Sequence, residues 1–305
     1  MSGPISIQAA AAVAAAVAAA VPAAVDTVAD TSATRAAART LMLNADDFGQ
    51  SPGISEGIAS LAHSGRLSAT SCLSSSAQWP AIAPTLRALP SHVLRGLHFN
   101  LTEGVPLSPD LRKHWPRFPK LPQLILNAHA RRLPKQALAA EFSAQLHAFT
   151  DGAGQWPDHI DGHQHVHHLP VVRDVFVKSV LDLKIELSVR STARPLGPRF
   201  EVKRALIART GGVSLERLLQ RHAIRHNRWL LGVYDFEVAD YRGLMQGWLA
   251  NLHVDGGLLF CHPGAADPQP DAIAPARARE LAYLSSAAFA DDLAAANVSL
   301  GSVFK

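Results

Sequence analysis

Four short clusters hold the side chains in this sequence that could do chemistry. Asn44-Ala45-Asp46-Asp47-Phe48-Gly49 sets two carboxylates side by side. Adjacent carboxylates repel, and they are tolerated where a cation is shared or where the two point to different tasks. A solvated turn stopped by Gly49 is the plain alternative. Gly96-Leu97-His98-Phe99-Asn100 ends an apolar run on His98, which alone reads as a structural histidine. His159 to His168 carries five histidines in ten residues, too many for packing. Neutral imidazole is a common metal ligand, although a histidine-rich tract can also bind metal adventitiously at a surface. Cys261-His262-Pro263-Gly264 follows apolar Gly257–Phe260, and Pro and Gly make a turn its plain reading. Each cluster is weak by itself. Together they bring one Asp and two His to strand ends, a set that suits a hydrolytic metal with open positions for water and substrate.

Such clusters need strands behind them. Short apolar runs predict strands at 41–44, 67–73, 94–99, 158–161, 185–190, 229–233, 257–261 and 298–303. Helical spacing falls between them, at 54–63, 81–89, 135–149, 244–252 and 277–295, with Pro170 opening one more helix. The Pro-rich stretch 104–134 reads as a long loop over one end of the fold. Strand-helix alternation along the chain argues α/β with mostly parallel strands. No G-x-G-x-x-G follows the first strand, so a distorted (β/α) barrel fits better than a dinucleotide-binding sheet. The four clusters then lie at the carboxyl ends of strands, the active face of such a barrel.

The composition fits one globular domain. Of 305 residues, 48% are hydrophobic and 18% charged, enough apolar surface for a sizeable core. Two cysteines, Cys72 and Cys261, exclude a disulfide scaffold and a Cys-based zinc site. A formal charge of +4 is too weak to argue nucleic-acid binding. Residues 1–39 are a different material, dominated by alanine and valine and interrupted by Pro22. No Lys or Arg precedes the apolar run, as a secretory signal would require. The expectation is a poorly ordered extension over 1–39, with export or membrane attachment as the alternative, and one domain over 40–305.

In combination, NADDFG, GLHFNLTEG, HIDGHQHVHHLP, CHPG and the closing ARARELAYLSS resemble the YdjC-like carbohydrate deacetylases, a family that includes chitooligosaccharide and hopanoid-associated deacetylases. The resemblance runs from Leu41 to the C-terminus and implies a distorted (β/α) barrel with one divalent metal, Mg²⁺ or Zn²⁺. It implies Asp47, His98 and His163 as metal ligands, Asp46 as catalytic base and His262 as general acid. Arg190 matches, more loosely, an arginine that holds the base carboxylate. The implied activity is hydrolysis of the N-acetyl group of an amino sugar, releasing acetate. The substrate is a chitooligosaccharide or the sugar headgroup of a hopanoid-type glycolipid. Many relatives carry glutamate four residues before the HPG histidine, where this chain has Leu258. That departure supports a competing reading, a non-catalytic sugar- or metal-binding relative; a metal hydrolase of another bond is a further alternative, since one fold hosts many chemistries.

His165, His167 and His168 are left over, and His167 is the favoured one to line the pocket if the strand continues. Cys261 beside His262 points to the opposite strand face, which argues against a Cys-His nucleophile. Trp79, Trp115 and Trp156 could stack on sugar, with Trp115 the best placed. Residues 190–228 carry ten basic and two acidic residues, either a solvated helix pair or a peripheral contact with anionic membrane or glycan. The expected location is cytoplasmic, with inner-membrane contact as a variant, and a homodimer is left open.

Overall fold

The computed structural model describes residues 38–304 apart from Gln269. The Ala-rich stretch up to Ala37, with the expectations of disorder or membrane attachment placed on it, lies outside the described residues. Strand β1 (Arg39–Phe48) is the axis of the fold, and its last eight residues are buried. Burial on both faces is what an apolar run in a parallel sheet requires. Around it pair β2 (Ala69–Cys72), β3 (Leu94–Phe99), β4 (His159–Gly162), β5 (Ser188–Val189), β6 (Arg225–His226), β7 (Trp229–Leu231) and β8 (Gly257–Cys261), all parallel, in the order β6-β5-β4-β3-β2-β1-β8-β7. A last strand, β9 (Val298–Leu300), pairs with the start of β1.

The sheet curls until its flanks meet. Leu196 N–H donates to the Leu230 carbonyl at 2.7 Å, and Leu230 N–H to the Arg194 carbonyl at 3.1 Å. Buried Asn227 accepts from Ser191 N–H at 2.7 Å and donates to the Ser191 carbonyl at 3.0 Å. The result is a (β/α) barrel distorted where β5, β6 and β7 shrink to two or three residues.

Most helices fall where the spacing predicts: α1 (Pro52–His63), α2 (Trp79–Arg87), α5 (Lys135–Ala153), α6 (Val172–Asp182) and α9 (Tyr241–Asn251). The expected loop at 104–134 contains two short helices, α3 (Pro109–His114) and α4 (Leu121–His129). Their prolines sit in the first turn, where the missing N–H costs nothing, and Ser108 caps α3 through Leu111 N–H. The basic stretch forms α7 (Glu201–Ile207), a π segment (Ala208–Gly212) and α8 (Val213–Arg221). The single helix expected over 277–295 is two, α10 (Ala274–Ser285) and α11 (Ala287–Ala295), separated by extended Ser286. Helix α6 starts at Val172, not at Pro170. Among the described residues, no helix is long and apolar enough to cross a membrane.

Two apolar clusters fill the fold. The larger lies between sheet and helices; the smaller plugs the barrel interior with Met42, Ala69, Leu230, Val233, Leu258, Phe260 and Val303. Leu258 therefore belongs to the barrel plug, four residues before His262, in the interior and away from the reacting end. Gly96 shows how tight that interior is. A Cβ there would lie 2.3 Å from Nε2 of buried His159 on the adjacent strand. Gly96→Ala should lower stability by about 1–3 kcal/mol through overpacking. A denaturant midpoint equal to that of the wild type would contradict this packing.

Candidate active site

β1 delivers both aspartates to the barrel mouth. Successive strand residues normally face opposite sides. Here the pairing with β2 shifts between Ala45 and Phe48, and Asp47 takes a φ of +72°. That left-handed turn swings Asp47 to the same pole as Asp46, at a cost in backbone strain of the kind found at functional sites. Ser51 then caps α1 and Gly49 N–H donates to Ser55 Oγ at 2.9 Å, which fixes the chain after the turn.

His98, at the end of β3, donates from Nδ1 to Asp161 Oδ1 at 2.5 Å. Its Nε2 faces the two aspartates, 3.5 Å from Asp47 Oδ1 and 3.9 Å from Asp46 Oδ2. β4 stops at Gly162, so His163 opens a 3₁₀ segment, His163–His168, in which Gln164 and His165 have positive φ. His163 Nδ1 lies 3.0 Å from Asp47 Oδ1, and its Nε2 lies 3.1 Å from Glu103 Oε1.

Arg190 is fully buried after β5 and takes both oxygens of Asp46, with Nη1 to Oδ2 at 2.8 Å and Nη2 to Oδ1 at 2.6 Å. The same Nη2 lies 2.5 Å from Asp161 Oδ2. Burial works to raise the Asp161 carboxyl, but the charges of Arg190 and His98 hold it well below the usual carboxylate range. His262, after β8, brings Nε2 to 4.0 Å from Asp46 Oδ2, between the ring edges of Phe236 and Phe260. Burial pushes its imidazole down to about 4, so it stands neutral near pH 7.

All six side chains expected at the site therefore meet at one mouth. His167 does not join them: it is buried and its Nε2 pairs with the Arg190 carbonyl at 2.9 Å, fixing that backbone. His168 is bound to Thr192 and Thr210. Trp79 is a packing residue whose Nε1 donates to the Ala148 carbonyl at 2.8 Å, and Trp115 packs against the core. Cys261 turns its thiol away to the Asn44 carbonyl at 3.5 Å, and burial raises that thiol far above its ordinary range.

Sequence reasoning missed three contributors. Asp161 had a signal, a carboxylate alternating with histidines in one motif. Arg277 and Glu280, one turn apart on α10, lay in the quoted ARARELAYLSS segment, which carried no hint of a role at the site. Arg277 Nη2 donates to Asp47 Oδ2 at 2.8 Å and to Gln50 Oε1 at 2.9 Å, across 230 positions of sequence. Buried Glu280 accepts from His262 N–H at 2.5 Å and from the Tyr234 hydroxyl.

The residues present fit a divalent cation. Asp47, His98 and His163 each offer one ligand atom, all within 4.8 Å of one another. Asp161 fixes the proton of His98 on Nδ1, which leaves the Nε2 lone pair aimed at a carboxylate, an arrangement a cation relieves. A second grouping, Asp46, His98 and Asp161, is already filled by the Arg190 guanidinium. Within the mouth, Asp46, Asp47, Asp161 and Glu103 face the two guanidiniums of Arg190 and Arg277, so carboxylates are in excess and a cation suits the site.

Comparison with known proteins matches this architecture. A Proteus mirabilis chitooligosaccharide deacetylase is 34% identical over 163 residues, 49% of this chain and 60% of that protein, so less than two thirds of its length is matched. A Klebsiella pneumoniae chitooligosaccharide deacetylase is 29% identical over 86% of this chain and 97% of its own. The crystal structure of an Enterococcus faecalis protein, provisionally described as a cellobiose-phosphate cleavage protein, superposes with a TM-score of 0.68 at 21% identity. It covers 88% of this chain and 98% of that one, and shows the same fold. The family model described as YdjC-like protein matches residues 40–295. The chain belongs to the YdjC-like protein family.

Proposed function

We propose that this protein is a metal-dependent carbohydrate N-deacetylase, with residues 40–305 as its catalytic domain. The observation that carries the reading is the position of Asp46 Oδ2, 3.9 Å from His98 Nε2 and 4.0 Å from His262 Nε2. One carboxylate oxygen thus stands between the cation-binding set and a second proton-carrying group. The names of the Proteus and Klebsiella relatives support an acetylated aminosugar as substrate. Within that class, the candidates are a chitooligosaccharide and the sugar headgroup of a hopanoid-type glycolipid.

In this reading Asp47, His98 and His163 hold the cation, with Mg²⁺ or Zn²⁺ the candidates. A bound divalent cation polarises a carbonyl and lowers the pKa of water. The protein's own groups do the rest. Asp46 Oδ2 takes a proton from the attacking water while Arg190 keeps that carboxylate oriented. His262 rests neutral, and its Nε2, 4.0 Å from Asp46 Oδ2, relays the proton that Asp46 took from water to the leaving nitrogen, which its low pKa makes it release readily. Glu280 and Tyr234 fix the backbone of His262. Two buried free thiols, Cys72 and Cys261, support a cytoplasmic location.

The decisive test is acetate release from diacetylchitobiose and from an N-acetylglucosaminyl lipid, with metal restored after chelation. Asp46→Asn should cost roughly 10²–10⁴-fold in turnover while metal stays bound. Full activity in that variant would sink the assignment.

Proton balance gives a second test. Burial pulls the His163 imidazole down, but Asp47 and Glu103 outweigh it and push it up to about 10. His163 thus carries a proton at neutral pH until a cation takes its place. Binding should release about one proton per cation. Calorimetry in two buffers of different ionisation heat measures this, and zero release would contradict a ligand His163 that is protonated before binding.

Burial pushes Glu280 up to about 7, against its hydrogen bonds from Tyr234 and His262. A raised carboxyl pKa favours the fold below the unfolded value of about 4.5, and that advantage is lost as pH rises through 7. Glu280→Gln should gain up to about 3 kcal/mol relative to wild type between pH 4.5 and pH 8. Parallel stability curves for the two proteins would refute this.

A further inference from the structure

Helix α7 packs Ile207 on the barrel plug but turns another aliphatic face outward. A surface helix normally buries its apolar stripe and exposes its charges. None of the seven residues of α7 is buried, and its exposed large aliphatics are Val202, 76% exposed, and Leu206, 50% exposed, with Ala205 on the same face. The basic residues fold back. Lys203 donates to the Tyr234 carbonyl and lies 5.1 Å over the Phe236 ring. Arg204 donates to the Arg199 carbonyl and to Glu201, with its side chain only 15% exposed. Beyond the π segment, α8 buries Leu215 and Leu219 and exposes Val213, Arg217 and Arg221. A helix this short is not stable alone in water, so its orientation is imposed by those anchors.

The anchors tie it to the rim of the candidate active site. Phe236, under Lys203, meets the His262 ring edge-on at 5.1 Å. Thr210 pairs with His168 at 3.1 Å. Gly211 sits so close to the His168 carbonyl that no Cβ would fit. An apolar stripe is thus presented to solvent beside the mouth where the reaction is proposed. Exposed Arg199, Arg209, Arg217 and Arg221 flank it along the chain, with Glu201 the one exposed acid between Arg199 and Arg221.

We propose that α7 and the start of α8 dock this protein on an anionic lipid surface. Val202, Leu206 and Val213 enter the boundary between headgroups and acyl chains, and Arg199, Arg217 and Arg221 meet lipid phosphates. Aliphatic side chains flanked by cations are what such a surface binds. A second copy of this chain would bring the same arginines face to face, which like charges disfavour. Single-stranded nucleic acid would call for aromatic stacking platforms, and this stripe is aliphatic. The surface deepens the deacetylase reading, because it would offer the mouth an acetylated sugar carried on a lipid. Docking itself is measured without turnover, so either idea can fail alone.

The experiment is co-sedimentation of the full chain with phosphatidylcholine vesicles, with and without phosphatidylglycerol. The wild type should partition onto the anionic vesicles, and the double variant V202S/L206S should bind roughly tenfold more weakly or less. Arg217→Glu with Arg221→Glu should weaken binding to anionic vesicles only. Unchanged thermal midpoints show that both variants fold. No binding by the wild type overturns the proposal. Equal binding by V202S/L206S does so too, since another part of the chain would then carry the contact. A dimer that V202S/L206S dissolves, without vesicle binding, assigns the stripe to a second copy instead.

Discussion

The barrel mouth depends on one buried guanidinium. Arg190 has no exposed surface, and removing an ion from water is costly unless its partners are close and well placed. Asp46 and Asp161 supply that compensation from two strands on opposite sides of β2 and β3. The ion pair therefore ties β1, β4 and the end of β5 at one point. His167 holds the Arg190 carbonyl, so the backbone that carries the guanidinium is fixed as well. Each member needs the others. Without Arg190, two buried aspartates would lose their shared guanidinium.

Charge balance then separates the two adjacent aspartates. Asp46 is satisfied by Arg190 and by Asn44 Nδ2 at 2.7 Å. Asp47 is turned by its positive φ toward Arg277, His98 and His163. Burial opposes ionisation of Asp47, but Arg277 and His163 hold its carboxyl well below the usual range. Asp46 is oriented by a guanidinium while its Oδ2 faces His98 and His262, and Asp47 keeps an oxygen among imidazoles. A backbone irregularity of two residues makes two chemical roles out of one dipeptide.

The remaining histidines of the cluster are kept neutral by burial, His159 and His167 each at about 4. Neutral imidazole serves here as a packing and hydrogen-bonding group. Five histidines in ten residues thus divide by geometry, with one at the cation set and four behind or beside it. Helix α10 does comparable work from outside the barrel, reaching Asp47 through Arg277 and the His262 backbone through Glu280.

Much of this was legible along the chain. Apolar runs marked the main strands, and alternation placed Asp46, His98 and His262 at their ends, because the side chains of a strand repeat every two residues. The same alternation separated Cys261 from His262. Loop 104–134 was misread because prolines that start helices look like prolines that break them. Strand β6 was missed because two residues carry too little periodicity, and β5 and β7 are shorter than the apolar runs that marked them. Local order could not show which charges meet. Arg277 and Asp47 are 230 positions apart, and nothing near either names the other. Nor could it show that Asp47 leaves the strand alternation, that His167 faces the Arg190 backbone, or that α7 turns an aliphatic face outward. Periodicity encodes the face on which a side chain lies; the partner on that face is decided only when the barrel closes and every buried charge must find its counter-charge.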